Sequence, residues 1–206
     1  MRDEEWRPLF GQTNQSQSHL RNQGVTSGDL FLFFGWFQEV EKYGDSYRYK
    51  HGSLDKHVLW GWLQIDKVFQ VDDVASKSEL TWARYHPHFY HKPNPLNTLY
   101  TATRCLSLGE ASHQQVCGGG VFRKFSDHLQ LTKRGSPKRS LWSIPEWMLP
   151  PSSDKALSYH PDMNRWTRDN EGNPQLQTTG RGQEFVLDAR YYPEATSWVA
   201  SLFRSE

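Results

Sequence analysis

The stretch GDLFLFFGWF, Gly28 to Phe37, is the most apolar part of an otherwise polar chain, and any fold must find cover for it. Its run LFLFFGWF is too short to cross a bilayer as a helix, which takes roughly 20 apolar residues. Asp29 and the pair Gln38-Glu39 bracket it. The run is apolar at odd and even positions alike. A strand covered on one face alternates, so this pattern predicts a strand buried on both faces. An echo follows in HVLWGWLQI, His57 to Ile65, a second strand that DKVFQV continues or follows. Both runs carry an aromatic, glycine, tryptophan and a large apolar residue: Phe34-Gly35-Trp36-Phe37 and Trp60-Gly61-Trp62-Leu63.

Aromatics make up 14% of the 206 residues, nine of them Trp, which builds a core despite modest aliphatic content. No composition shift divides the chain, so residues 1–206 read as one domain. The net charge of +1 argues against broad non-specific nucleic-acid binding, which needs clustered cations. One local cluster stands out: Leu131 to Ser140 holds Lys133, Arg134, Lys138 and Arg139 with no acid. It reads either as a phosphate-contacting loop or as a solvated basic turn. Two cysteines, Cys105 and Cys117, make no disulfide framework or zinc motif. The start MRDEEWRP has no apolar signal region. These features predict a reducing, cytoplasmic setting and no membrane partner.

Residues 12–23, QTNQSQSHLRNQ, predict a polar helix stopped by Gly24. Residues 38–56 read as a long polar connection. Leu96 to Leu108 predicts a third strand. The glycines of VCGGGVFRKF predict a turn or a close backbone approach before a short strand. Ser140 to Pro151 reads as a short helix or turn, and Gln183 to Ala189 as a last strand. Pro193 opens a helix running to about Arg204, with Trp198, Val199, Leu202 and Phe203 on one face. The sum is an α+β fold: a curved, mainly antiparallel sheet with a C-terminal amphipathic helix packed on it.

Four constellations offer chemistry. In a strand, residues two apart share a face. Phe34 with Trp36, and Trp60 with Trp62, could therefore clamp a base across the glycine gaps, or simply fill the core. The segment RYHPHFYHKPNPLNTLY gathers His86, His88, His91 and Asn97, suited to acid/base work or to hydrogen bonding a base or phosphate. No Asp, Glu or Cys stands nearby at ligand spacing, so no metal site is assigned. In GRGQEFVLD, Arg181 sits in a glycine turn. Gln183 and Glu184 follow as base-edge readers, with Glu184 also the best-placed acid or base. The rival reading is a plain hairpin turn. Gln12, Ser18 and His19 lie on or near the first helix. No GxSxG, P-loop, GxGxxG or HExxH occurs.

The segments FGQ…QSHLRNQGV…GDLFLFFGWF, HVLWGWLQI, HPH…NTLY, LSYH…RW and GRGQEFVLD, followed by a Trp-bearing helix, occur in a set order. In that order they resemble the nucleotide modification associated domain 3 family, from Trp6 to Trp198. The resemblance implies an α+β domain of bacteria and their phages, placed near DNA-base modification systems. It implies no known reaction, cofactor or catalytic residue. It also implies a further N-terminal segment with a first strand, so the chain reads as a short form or a truncated reading frame. A looser likeness of fold links the two apolar strands to PUA-like barrels, which include readers of modified bases.

The resulting expectation is a nucleotide- or DNA-base-directed protein, modified bases included, that modifies or recognises a base in an aromatic-lined pocket. An enzyme would act on a flipped or free nucleotide. Trp36 and Trp60 would be stacking walls. Glu184, His86 and His88 would be catalytic or polar groups. Gln183, Arg181, Asn97, Gln12 and His19 would contact the nucleotide, and Gly28 and Asp29 would shape the start of the strand. The alternatives are a non-catalytic reader of a modified base and an interaction protein with an ordinary aromatic core.

Overall fold

The computed structural model describes residues 6–109, 111–180 and 184–203. In chain order the elements are β1 (Leu9–Gln12), α1 (Asn14–Asn22), β2 (Leu30–Phe37), β3 (Val40–Tyr43), β4 (Ser46–Tyr49), β5 (Lys56–Gln70) and α2 (Val74–Glu79). They continue with β6 (Thr98–Ala102), β7 (Cys105–Leu108), β8 (Ala111–Cys117), β9 (Gly119–Val121), β10 (Leu141–Ser143), β11 (Trp166–Arg168), β12 (Pro174–Gln177) and α3 (Ala195–Leu202). Short 3₁₀ turns fill the connections. The α+β expectation holds, with a curled, mainly antiparallel sheet and a C-terminal helix. Among the described residues no helix is long and apolar enough to cross a membrane. Contacts divide the chain into two compact units, residues 1–32 with 61–121 and residues 33–60 with 122–206.

In the first unit α1 stops where the sequence predicts. Gly24 takes φ +75°. Its N–H donates to Arg21 O, and Val25 N–H donates to Leu20 O, so the last helical carbonyls are satisfied. β5 is one unbroken strand covering both predicted runs. It pairs with β9 through Gly61–Leu63 and with β6 beyond Ile65, and a register shift at Ile65/Lys67 bends it between the two. β6 is buried throughout and pairs with β1 on its other side. Phe69, Val71, Leu80, Ala83 and Leu99 form one apolar cluster of the core.

The predicted strand 96–108 is interrupted at Thr103-Arg104. The glycines explain where the chain goes. A side chain on Gly118 would overlap the hydroxyl and carbonyl of Thr103, and one on Gly120 would lie 2.8 Å from the Trp62 ring. The close-approach reading of this glycine run is therefore the right one. Buried Gln64 ties the same region together. Its Nε2 donates to Ser107 O (2.6 Å) and Gly28 O (3.3 Å), and its Oε1 accepts from Ser107 N–H (2.8 Å). Gly28 N–H donates to Ile65 O while Ile65 N–H donates to Asp29 O, which fixes the start of β2.

The second unit is built on the sheet β10-β12-β11. Trp142, Ile144, Leu157, Trp166 and Leu176 form its core, with Phe34, Phe185 and Leu187 packed against them. α3 buries Ala195 and Leu202, and the ring of Phe203 just after it lies tilted against Phe122. Trp198 meets Trp147 of a 3₁₀ turn. Three expectations are corrected here. Leu30–Phe37 is a strand, but it is not buried on both faces: six residues are half-buried, and Trp36 and Phe37 are exposed. Residues 38–56 are not merely a connection, since β3 and β4 form a hairpin about Gly44-Asp45. Residues 184–188 form no strand. Val186 is bonded to Ser158 on both its N–H and its C=O, and Phe185 packs against the core.

Candidate nucleotide site

In the first unit, Gly11 of β1 makes room for two imidazoles. A Cβ there would lie 2.5 Å from the His88 ring and 2.8 Å from His86 Cε1. His86 caps the 3₁₀ turn Pro87–Tyr90 and accepts the His88 N–H at its Nδ1. His88 Nδ1 faces the side-chain Oδ1 of Asn97 at 2.5 Å, and Asn97 Nδ2 donates back to His88 O. His86, His88 and Asn97 therefore come together as one network over Gly11. Gln12, the next residue of β1, accepts the Thr13 N–H. His19 is half-buried on α1. Among the described residues no group of three or more His, Cys, Asp or Glu is arranged to hold a metal ion.

Burial, and then the neighbouring His88, pull the pKa of His86 down to about 4. Burial likewise lowers His88, His57 and His160. The unfolded chain then binds more protons than the native one below the ordinary histidine range. Stability is full above about pH 6.5 and falls as pH drops toward 4. Urea unfolding should show a lower midpoint at pH 5 than at pH 7.5. The His86 ring signal in NMR should not shift until pH approaches 4. Equal midpoints at the two pH values would refute this.

In the second unit a cavity of about 310 Å³ opens beside the basic loop. Its apolar wall is Phe34 and Phe185, two rings 5.8 Å apart and nearly parallel. Behind them Trp142 meets Phe34 edge-on, and His160 meets Phe185 edge-on at 4.6 Å. Asp55, just before β5, and His57, its second residue, both line the cavity. Trp142 Nε1–H donates to His57 Nδ1, which fixes the tautomer and leaves the proton on Nε2. Among the described residues Nε2 has no hydrogen-bond partner, so it is a free donor. Its pKa is lowered by burial and by the Arg139 charge, which keeps the ring neutral near pH 7.

The opposite rim is polar: Lys138, Arg139, Ser140, Thr178 and Thr179. Arg139 lies 4.2 Å over the Trp36 ring and 3.5 Å from Asp55. Lys138 is exposed and makes no ion pair among the described residues. The fully buried His160 holds the far wall. Its Nδ1–H donates to Ser158 O, and its Nε2 accepts the Thr179 N–H. Tyr159, just before it, carries φ +65°, a costly conformation for an aromatic residue, and its ring approaches Phe185.

Trp36, Trp60 and Glu184 also belong to the second unit, each with its own surroundings. Trp36 lies against Arg139. Trp60 stacks on Phe33 at 5.3 Å, with its indole edge 3.3 Å from where a Gly35 Cβ would be, so protein fills the Gly35 gap. Glu184 is half-buried. After burial, its charge is the second influence that raises the pKa of Tyr159. Arg181 and Gln183 lie outside the described residues. Sequence reasoning missed His57, His160, Phe185 and the Thr178-Thr179 pair. The Asp55-x-His57 alternation ahead of an apolar run was the one local signal for any of them.

No curated protein and no solved structure matches the chain. The family model of nucleotide modification associated domain 3 matches residues 1–188, and the chain belongs to that family.

Proposed function

We propose that the chain binds a nucleotide, or a base freed from its stack, in the aromatic-lined cavity of the second unit. One observation carries this: a paired-ring wall, a fixed neutral imidazole donor and two cations all face the same 310 Å³ cavity. A base would lie on Phe34 and Phe185. The His57 Nε2–H and the hydroxyls of Ser140, Thr178 and Thr179 would meet its edge or sugar, and Lys138 and Arg139 its phosphate. Such cavities hold small ligands when apolar walls carry a few placed polar groups. The family's link to nucleotide modification supports the same reading.

Titration calorimetry with modified and unmodified mononucleotides tests it, with mass spectrometry of the recovered nucleotide. Binding should weaken about tenfold or more in Phe185→Ala, since one stacking contact is worth roughly 1–3 kcal/mol. Arg139→Ala should weaken nucleotides more than nucleosides. A changed mass would identify an enzyme, and an unchanged mass with binding a reader. If no mononucleotide binds at millimolar concentration, the proposal fails.

A further inference from the structure

The hairpin β3–β4 presents an uncovered aromatic face. Its register sets Val40 opposite Tyr49 and Lys42 opposite Tyr47. Residues two apart share a face, so Val40, Lys42, Tyr47 and Tyr49 project together. All four are exposed, with Tyr47 at 73% and Tyr49 at 69%. On the other face Arg48 pairs with Glu41 at 2.8 Å and lies 4.2 Å over the Tyr43 ring, so those side chains have partners within the hairpin while remaining open to solvent. An isolated two-stranded ribbon is marginal in water, and contiguous exposed rings of this kind mark a surface that something covers.

The chemistry of the surroundings selects the occupant. The uncovered rings are tyrosines, and one cation, Lys42, stands opposite Tyr47 on the same face. Lys42 makes no ion pair among the described residues. A groove of about 440 Å³ at the hairpin base carries Lys50, His51, Lys56 and Arg134. Its acids are Glu39, paired with both lysines, and Asp127, paired with Arg134. The Arg134 and Asp127 side chains are 71% and 65% exposed, so that pair contributes little and leaves Arg134 within reach of solvent. Arg134 belongs to the same basic loop as Lys138 and Arg139 at the rim of the proposed cavity. Rings that accept any base, combined with cations that track a backbone, are how proteins hold single strands.

We propose that β3–β4 and the groove at its base form a stacking platform for single-stranded nucleic acid, so that the base entering the cavity belongs to a polynucleotide. This rests on the nucleotide reading of that cavity.

Fluorescence anisotropy of the full chain with a labelled single-stranded oligodeoxynucleotide of about 12 residues tests it, alongside the matching duplex and a mononucleotide. The single strand should bind at least about tenfold tighter than the duplex. Tyr47→Ala/Tyr49→Ala should weaken the single strand about tenfold or more and leave the mononucleotide unchanged, while Tyr47→Phe/Tyr49→Phe should bind like wild type. Lys42→Ala should reduce the slope of log K against log salt by about 0.7. An iodouracil-substituted strand should cross-link to Tyr47 or Tyr49 under ultraviolet light, which gives a readout in wild-type protein.

Duplex binding as tight as single-strand binding would overturn the platform, and so would an alanine pair that binds like wild type. The same holds if no cross-link falls on either tyrosine. Mononucleotide binding without a single-strand preference removes the platform alone. Tyrosine-dependent strand binding that is indifferent to Phe185→Ala keeps the platform and removes the cavity reading.

Discussion

Gln64→Leu should lower stability by about 3–5 kcal/mol, because it strands buried polar groups rather than merely deleting a contact. Leucine has similar bulk, so no large cavity forms. The losses are polar. Ser107 N–H loses its acceptor, and the carbonyls of Ser107 and Gly28 lose their donor. Gln64 itself is only 7% exposed, so water cannot replace these bonds without local opening. For a chain of this size the melting temperature should fall by about 10 °C. A shift under about 2 °C would show that the network adds little beyond what water supplies.

His160→Leu should act on both stability and binding. The imidazole is 0% exposed and is used at both nitrogens, one toward Ser158 O and one toward Thr179 N–H. Leucine satisfies neither, at a cost of about 2–4 kcal/mol. It also releases the Thr178-Thr179 wall of the cavity, so mononucleotide affinity should fall about tenfold even where the protein stays folded, the order expected for losing one well-placed contact. His160→Asn, which can both donate and accept, should recover part of the affinity. If His160→Leu binds nucleotide normally, the wall does not depend on this residue.

What the sequence revealed, and what it hid, follows from how far apart the deciding partners lie. Local signals worked. The polar helix ended at Gly24, HVLWGWLQI and DKVFQV proved to be one strand, and the crowded glycines marked a close approach. The first two depend on neighbours in the chain; for the glycines the sequence left a turn or a close approach open, and the distant Thr103 and Trp62 decided between them. The hairpin was legible in principle, since VEKY and SYRY flank a Gly-Asp turn, but strands of only four residues rich in Tyr, Lys, Arg and Glu read as a polar connection. The cavity was not legible. His57 becomes a fixed donor only because Trp142 reaches it, and Phe185 is a wall because Phe34 and His160 meet it. Trp36 and Trp60 drew attention as walls of a slot through their spacing alone. That spacing could not show that Trp60 closes over Gly35 and stacks on Phe33, or that Trp36 lies out against Arg139.

The pairing of β1 with β6 sets an order of events during folding. Leu9 must wait for Thr101, and Gln12 for Thr98, before their ladder can close. Until then β1, an edge strand, has no strand partner among the described residues. Closing so long a loop before any contact rewards it slows folding and prolongs the time that an unpaired edge is exposed. The first unit should therefore assemble late, around β5 and β6, with β1 among the last strands to be captured. During synthesis, this short segment is where wrong pairing with another chain has its longest opportunity.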